Sequence, residues 1–503
     1  LRQGIRRGPM LEEEHGAMEA DGGGWAEAAL EPVRWVRMLC RELGATFVAG
    51  VVLVYGLNQG FAGSFFRVAS DYYWKDVQRV QPATVQFLSI FFHVPWVLKP
   101  LWGVMTDVLP VRGYRRRPYF VFSGMLGMFS TAILASVGLS VTSAVVCFVG
   151  ISTAVAIADV TIDACIAKNS IDKPALAPDM QSLCAFSSSL GALIGYASSG
   201  MFVHHLGAQG ALGVMALPPT MLVFLGFYIY ELKMYQHNMK EKVLNKVTVA
   251  VKGMVQTIKY PVVWKPSLYM FLSLALSIST HEGQFYWYTN REPPNPGFSQ
   301  EFVGMVHAVG AVASMVGVLI YHKNLKDYPF RSILFFAQLL HGASGLLDLT
   351  FVLRWNLALG VPDAVFVTLE ECVSRVVGRV RLMPMMVLST KLCPPGAEGT
   401  FFALLMCIDS LGMLVAKTGG AFVLRALHVT RTDFSNLWLA VLLRNLLRLS
   451  ALGAIVLVPT ADQTDVLLPQ DLLSSGSPVA AAGDEEERLL QLGKLTSRTD
   501  DDV

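Results

Sequence analysis

The chain has 503 residues, of which 53% are hydrophobic and only 16% are charged, and its formal net charge is +2. Soluble domains carry about 25% charged residues, so this composition indicates a membrane protein. The charge balance, with no basic tract interleaved with aromatic residues, gives no indication of nucleic-acid binding. The seven cysteines show no C-x-x-C spacing, so neither a disulfide framework nor a metal site is predicted.

The N-terminal segment, residues 1–43, is predicted to be cytoplasmic and partly disordered. Met10 is the first methionine, so we expect residues 1–9 to be a translated leader or a gene-model fragment. The stretch 10–31 is acidic and rich in Gly and Ala, which is typical neither of an organellar transit peptide nor of a signal peptide.

Twelve apolar runs follow, each long enough to cross a bilayer, for which a helix needs about 20 residues. Their approximate limits are 44–66, 83–107, 118–138, 141–166, 178–203, 210–230, 266–289, 299–321, 331–352, 362–390, 400–423 and 437–459. The tenth run is rich in charge and would fail as a span on hydropathy alone. We predict an all-α polytopic membrane protein with twelve transmembrane helices.

The loops differ in charge between the two sides of the predicted membrane. With the N-terminus inside, the inner loops carry seventeen Lys and Arg residues and the outer loops seven, so both termini are predicted to be cytoplasmic. A basic cytoplasmic linker, 231–265, separates six runs in 44–230 from six in 266–460, which favours a transporter of two six-helix halves. The acidic tail, 461–503, is predicted to be disordered.

The stretch Pro95–Tyr119 reads PWVLKPLWGVMTDVLPVRGYRRRPY. Its pattern G-x-x-x-D, a short turn and G-x-R-R-R resembles the loop signature of the major facilitator superfamily. The flanking P-W-x-x-K-P-x-x-G and G-Y-R-R-R-P-Y resemble the folate–biopterin transporter family and its plant-type members. Ala158–Ser170 and Met383–Leu405 carry the same resemblance. It implies a carrier of folates, biopterin or related pteridines, with proton coupling as the usual assumption.

The charged residues of this signature suggest a gate. Gly103 and Asp107 end the second predicted span, and Arg115, Arg116 and Arg117 follow in the loop. An acid and bases at a cytoplasmic helix end can hold one conformation and release it, so we interpret them as a gating motif rather than a ligand site.

Besides Asp107, three charged residues fall inside predicted spans two and four. Asp159 and Asp163 are spaced i, i+4 and share one helical face, which suits a proton carrier or a donor to a pterin ring. The structural alternative is a helix-locking ion pair with Lys99 or an arginine. Lys99 itself is either an anchor for a substrate carboxylate or the partner of one of these aspartates, and an exchanging pair would combine both roles.

Predicted span seven contains His281 and Glu282 in STHEGQFYWYTN. No H-E-x-x-H motif is present, so no metal site is predicted, and Glu282 is a candidate for proton coupling. Glu282 could equally be structural. The aromatic run 285–288 that follows is typical of an interfacial belt.

Span ten holds Glu370, Glu371, Arg375 and Arg379, and the last three form an i, i+4 ladder that can neutralise itself. The excess of arginine leaves a cation that can clamp an anionic substrate. Asp409 and Lys417 in span eleven are expected to form one pair. The family usually has fewer bases in span ten, so the substrate of this chain could differ from folate.

Two pairs of glycines have the small-xxx-small spacing of close helix contacts. They are Gly56 with Gly60 in span one and Gly191 with Gly195 in span five. We expect both pairs to pack helices together rather than to contact substrate.

The sequence therefore predicts a secondary active transporter for a folate or pterin, not an enzyme, with a proton as co-substrate, membrane lipid around it and no cofactor. No Walker-type G-x-x-x-x-G-K-[S/T] motif is present, which argues against ATP-driven pumping. Alternatives are a carrier of another organic anion or an amino acid, and a receptor or scaffold without flux. Among membranes, the plasma membrane or vacuole is favoured over the plastid.

Overall fold

The computed structural model describes residues 24–108, 111–136, 138–173, 176–229, 231, 258–392 and 398–463. Most of the predicted linker and tail lies outside these residues. The chain divides into two compact units, Leu1–Val48 and Ala49–Val503. The described part of the first unit comprises α1, Gly24–Leu43, and the start of α2.

The rest of the described chain is built from helices and contains no β-strand, in agreement with the all-α prediction. The helices are α2 (Ala45–Val77), α3 (Pro82–Val97), α4 (Lys99–Val108), α5 (Arg117–Leu134), α6 (Val141–Asp172), α7 (Ala177–Val214), α8 (Leu217–Tyr228), α9 (Pro261–Ala275), α10 (His281–Tyr288), α11 (Gln300–Ile320), α12 (Phe330–Val352), α13 (Trp355–Ala358), α14 (Asp363–Lys391), α15 (Glu398–Ala426) and α16 (Leu437–Ser450).

Seven helical segments within the described ranges are long and apolar enough to cross a membrane. They are Ala45–Val77, Val141–Ile166, Asp179–Tyr228, Gln300–Leu325, Phe330–Val352, Leu404–Ala426 and Leu437–Leu457. The third of these is 50 residues long, and it is interrupted at Gly207, whose φ of 71° belongs to the left-handed region. Glycine tolerates that conformation without a Cβ clash, so one apolar stretch becomes two helices.

Helix α2 extends further than the sequence indicates. We predicted that the first span ends at residue 66, but the helix continues to Val77 through two π-helical stretches, Val52–Phe61 and Tyr73–Val77. Arg67 and Lys75, two of the seven basic residues counted above in the outer loops, therefore lie on the helix. A π-helical turn adds a residue without breaking the helix, and such turns are frequent at functional sites.

The seventh predicted span is broken. Residues 276–280 separate α9 from α10, and the backbone N–H of Ser279 donates instead to the carbonyl oxygen of Ala416, 3.1 Å away on α15. Gly420 makes this approach possible, because a Cβ there would lie 1.8 Å from the carbonyl oxygen of Ser279. Irregular backbone at membrane depth is tolerated only where protein covers it or it lines a cavity.

Glycines bring α2 and α7 into backbone contact. A Cβ on Gly191 would lie 2.0 Å from the carbonyl oxygen of Gly56, and one on Gly60 would lie 2.4 Å from that of Ser188. Gly195 approaches Phe61 in the same way, at 2.4 Å. These two small-xxx-small pairs were predicted to be helix-packing contacts rather than substrate contacts, and the geometry confirms it.

Candidate functional site

Lys99 and Asp159 form an ion pair between the start of α4 and the middle of α6. The side chain of Asp159 is 4% exposed and that of Lys99 is 30% exposed. The Lys99 ammonium also lies 4.6 Å from the centroid of the Trp96 ring, a cation–π contact. Gln59 of α2 donates a hydrogen bond to the other carboxylate oxygen of Asp159. Of the two roles predicted for Lys99, the structure therefore contains the ion pair with an aspartate.

Asp163, one turn further along α6, has a different partner. It accepts a hydrogen bond from the hydroxyl group of Tyr55 and retains an exposed surface. The aspartates thus share one helical face as predicted, but among the described residues Asp159 is paired with a cation and Asp163 is not. Tyr55 and Gln59 lie about 100 positions earlier in the sequence, and no spacing pattern indicated them.

The arginine loop is organised around Glu231. The backbone N–H groups of Arg115, Arg116 and Arg117 donate to its carboxylate at 2.7–3.0 Å, so an acid sits at the N-terminus of α5. The amides and positive end of the helix dipole stabilise a carboxylate there. The Arg116 guanidinium also donates to the Thr106 hydroxyl oxygen at 3.0 Å.

Arg117 donates through Nε to the carbonyl oxygen of Gly226, 3.3 Å away on α8. Gly103 lies on α4, where it faces Val160 of α6 at 3.6 Å from an ideal Cβ position. The side chain of Asp107 lies outside the described residues. No sequence pattern indicated Glu231, which lies more than 110 positions beyond the arginines that it contacts.

A cavity of about 350 Å³ lies among α2, α10–α12, α14 and α16. It carries several ionisable side chains within an apolar protein, and two of the predicted binding residues, Glu370 and Arg375, are in its wall. The titratable or cationic side chains lining it are Arg67, His281, His307, Asp348, Glu370, Glu371, Arg375, Arg444 and Arg448.

The charges of α14 are partly neutralised within the cavity wall. Arg375 Nε donates to Glu371 Oε1 at 2.8 Å, and His307 Nδ1 lies 2.9 Å from the same oxygen. Arg379, which we expected to extend the ladder, instead donates to Ser314 on α11 at 2.6 Å and does not line the cavity. The ladder is therefore one pair rather than three linked residues.

A second pair in the cavity wall was not indicated by the sequence. Arg444 of α16 forms an ion pair with Asp348 of α12, and the side chain of Arg444 is only 6% exposed. Its other nitrogen donates to Thr280 at 3.0 Å and to Gln284 at 2.9 Å, at the break between α9 and α10. We had interpreted the predicted spans that contain Asp348 and Arg444 as ordinary spans, because isolated charges in apolar runs give no sign of which helices will meet.

Glu282 belongs to a buried polar group with His281 and Asp71. Nε2 of His281 lies 2.9 Å from Oδ2 of Asp71, and the three residues each offer one ligand atom within 4.8 Å of the others. Glu282 is 6% exposed, and its Oε2 has no hydrogen-bond partner among the described residues. Asp71 joins this group only because α2 continues beyond its predicted end.

Two expectations about side chains near these sites are wrong. Phe285, Tyr286 and Trp287 do not form an interfacial belt, because they are at most 6% exposed, and the Phe285 ring packs 5.0 Å from Tyr72. Lys417 does not pair with Asp409 but lies 3.2 Å from His93 Nδ1 on α3. The closer partner of Lys417 is therefore His93, more than 300 positions earlier in the sequence.

Comparison with solved structures gives the class to which this fold belongs. The structure titled "Crystal structure of nucleoside transporter NupG" superposes with a TM-score of 0.58 over 82% of this chain and 97% of its own, at 12% identity. That titled "In meso crystal structure of the POT family transporter PepTSo" gives 0.62 over 82% and 97%, at 11% identity. At such identities the match concerns the fold alone, which this chain shares with these two transporters.

Residues 59–471 match the BT1 family, and this chain belongs to that family. "Probable folate-biopterin transporter 6" of Arabidopsis thaliana is 58% identical over 88% of this chain and 89% of its own length. "Probable folate-biopterin transporter 2" of the same plant is 46% identical over 93% and 94%. The resemblance inferred from Pro95–Tyr119 is confirmed, and the family is one of transporters rather than enzymes.

Proposed function

We propose that this protein is a secondary active transporter that carries a folate or pterin across a membrane by alternating access, coupled to protons. The cavity is the observation that carries the proposal, because it places charged groups inside an apolar helical protein whose relatives are named as folate–biopterin transporters. Its volume of about 350 Å³ lies within the range of about 300–1,000 Å³ typical of small-molecule sites.

We infer twelve spans in two halves. In support, α2–α8 pack mainly on one another and α9–α16 do the same, while the principal contacts between the two sets are α7 with α11 and α3 with α15. Counting α3 with α4 as one pass, counting α9 with α10 as one pass, and dividing the α7–α8 stretch at Gly207 is consistent with twelve passes. Two sets joined by few helix pairs can move relative to each other, which alternating access requires.

Hydrogen bonds that join the two sets at one end support a closed gate there. The Lys75 ammonium donates to Thr289 Oγ1 at 2.5 Å, and the Tyr286 hydroxyl donates to the carbonyl oxygen of Val80 at 2.9 Å. The Arg431 guanidinium donates to the carbonyl oxygen of Lys75 at 2.9 Å. From the loop charges we infer that this end faces away from the cytoplasm and that both termini are cytoplasmic. The membrane is the plasma membrane or the vacuolar membrane.

For coupling, the favoured residues are Lys99, Asp159 and Asp163. Where an ion pair lies beside a second carboxylate, protonation of one acid leaves the lysine paired with the other. Asp163 has the exposed surface that proton entry needs. Glu282 is a second candidate because its Oε2 lacks a partner in a buried site among the described residues. Intramembrane ionisable groups are commonly proton or substrate sites.

The test is uptake of labelled folic acid, 5-formyltetrahydrofolate and biopterin by a folate-auxotrophic bacterium that expresses the chain, with and without a protonophore. We expect uptake that the protonophore abolishes. We expect Asp163→Asn to abolish this uptake with membrane insertion unchanged, and the exposed loop carboxylate variant Asp327→Asn to behave as wild type.

Absence of uptake with the protein in the membrane would contradict folate and pterin transport and favour a different solute or a scaffold. Uptake that survives the protonophore would contradict proton coupling alone. Near-normal uptake by Asp163→Asn would remove that residue from the coupling site.

A further inference from the structure

The cavity has two chemically different walls. One, here called the aromatic wall, consists of Trp287, Tyr288, Phe298, Phe302 and Phe351. Within it the rings of Phe298 and Phe351 are nearly parallel, with an interplanar angle of 12° and centroids 6.2 Å apart, and the Trp287 ring meets Phe351 edge-on at 5.0 Å. Such surfaces favour a flat conjugated ring, because offset stacking and edge contacts add to apolar burial.

The other wall carries the guanidinium groups of Arg444 and Arg448, one turn apart on the same face of α16. Both terminal nitrogens of Arg444 are engaged, by Asp348, Thr280 and Gln284, and only its Nε lacks a partner among the described residues. Arg448 differs. Among the described residues its guanidinium makes no hydrogen bond and no ion pair, and its Nε is buried without a partner.

This unpaired group lies close to the backbone of α12. Gly345 of α12 lies opposite Arg448, and a Cβ at Gly345 would stand 3.0 Å from an Arg448 terminal nitrogen. Asp348 and Glu370 are the acids that act electrostatically on Arg448, but Asp348 is already paired with Arg444. Two further arginines, Arg444 and Arg381, and the imidazole of His341 also face this region.

A buried guanidinium with unmet donors is destabilising unless an anion reaches it. Its planar fork matches a carboxylate, which it binds through two parallel hydrogen bonds. The other cavity arginines are less available, because Arg375 is held by Glu371 and Arg67 by the Tyr196 hydroxyl. The group left for a ligand is therefore Arg448.

We propose that Arg448 anchors the carboxylate of an aromatic carboxylic acid whose ring lies against the aromatic wall. This deepens the proposed function and rests on it, because it selects folate-like acids over uncharged pterins. Neither the predicted clamp residues nor the family signature includes Arg448. Arg448 and the aromatic wall together require that one ligand molecule carry both a carboxylate and a flat aromatic ring.

The experiment measures binding to the purified full chain by isothermal titration calorimetry with four probes. Folic acid has the ring system and carboxylates, pteroic acid has one carboxylate, p-aminobenzoylglutamate lacks the pterin, and biopterin lacks a carboxylate. For Arg448→Gln we expect the affinity for the three acids to fall by about ten- to a hundredfold, as for loss of a charge-assisted hydrogen-bond pair. Weak biopterin binding is expected to be unchanged.

Two further variants separate recognition from folding. Arg448→Lys keeps the charge without the fork and is expected to recover part of the lost affinity, whereas the exposed Arg425→Gln is expected to bind all probes as wild type. Size-exclusion profiles and thermal unfolding of each variant verify that it is folded. If Arg448→Gln does not fold, the Arg448→Lys affinities alone decide, because selective weakening of the acids is still required.

The outcomes distinguish this inference from the proposed function. Equal loss of acids and biopterin in Arg448→Gln, or no loss of either, overturns the anchor. Arg448-dependent binding of p-aminobenzoylglutamate with no binding or uptake of folates would support the anchor and refute folate transport. A wild-type protein that binds none of the three acids overturns the anchor, even if biopterin is transported.

Discussion

At the scale of single residues, the Lys99–Asp159 ion pair bears on a question that the sequence left open, whether Lys99 anchors a substrate or neutralises an aspartate. Asp159 is nearly inaccessible and receives both a lysine and the amide of Gln59, whereas Lys99 keeps almost a third of its side-chain surface exposed. An anchor for substrate must be reachable, and a structural lock need not be. The partial exposure of Lys99 is compatible with an ion pair that opens when substrate or a proton arrives.

A double-mutant cycle tests this pair. Lys99→Ala leaves the buried Asp159 carboxylate uncompensated, and Asp159→Asn leaves the lysine without its acid, so each single change is expected to lower stability. Breaking a buried pair costs about 3–5 kcal/mol, and the partial exposure of Lys99 places the expected loss below that range. The double variant is expected to be more stable than Lys99→Ala, as measured by thermal unfolding in detergent.

Uptake assays on the same variants separate locking from anchoring. If Lys99 only compensates Asp159, the double variant recovers transport together with stability. Additive losses of stability would contradict the ion pair, and a double variant that is stable yet inactive would assign Lys99 or Asp159 a direct role in transport.

The sequence could reach the aspartates and the lysine because a charge in an apolar run is conspicuous by itself. It could not reach Tyr55, Glu231 or Asp348, because tyrosines and single acids are common and their partners lie about 100 positions away. Only the three-dimensional packing of the helices brings such residues together. Local spacing finds candidates for function, and long-range contacts decide what they do.

At the scale of helices, the limits of the apolar runs come close to those of the helices, but irregularities were missed. Hydropathy records the length of an apolar run and is insensitive to a π-helical turn or a five-residue break, both of which keep the apolar character. Residues 276–280 read as part of a span, although the backbone N–H of Ser279 bonds to α15 rather than to its own helix. The break places Thr280 and Gln284 against Arg444, so the missed irregularity forms part of the cavity.

The glycine contact between α2 and α7 yields a prediction about packing. Gly191→Ala would place a methyl group 2.0 Å from a backbone oxygen, and backbone cannot move aside as a flexible side chain can. We expect a loss of at least about 1–3 kcal/mol, the usual cost of overpacking, and a lower yield of monodisperse protein. Thermal unfolding and size-exclusion chromatography measure both.

Gly63→Ala on α2 is the matched control, since nothing lies within 4 Å of a Cβ at that position. It is expected to be neutral or slightly stabilising, because alanine favours a helix over glycine by about 0.5–1 kcal/mol. Equal effects of the two substitutions would show that helix propensity, and not the contact of α2 with α7, dominates at these glycines.

At the scale of the whole molecule, the loop charges and the basic linker favour a two-part transporter, but they contain no information on conformational state. That information lies in contacts such as Lys75–Thr289 and Tyr286–Val80, which join helices more than 200 residues apart. A transporter must be able to break them at small free-energy cost, since both states have to be populated during transport.

Arg431 is the residue through which this gate can be tested. Its guanidinium holds the carbonyl oxygen of Lys75, and its backbone N–H donates to the side chain of Gln81 at 3.0 Å. Arg431→Gln removes the first bond and leaves the second. If the lost bond is worth about 1.5 kcal/mol, as for hydrogen bonds to charged groups, the population open at this end rises about tenfold.

The measurement is the rate at which a membrane-impermeant maleimide labels Thr289→Cys in an otherwise cysteine-free background. Faster labelling is expected with Arg431→Gln, and unchanged labelling with Arg425→Gln, an exposed arginine near the end of α15. A saturating transported solute is expected to alter labelling in the parent and to a smaller extent in Arg431→Gln, because part of the shift has already occurred. Equal labelling in all three proteins would mean that this bond does not bias the gate, and the closed end would then have to depend on the Asp71–His281 contact and the aromatic core behind it.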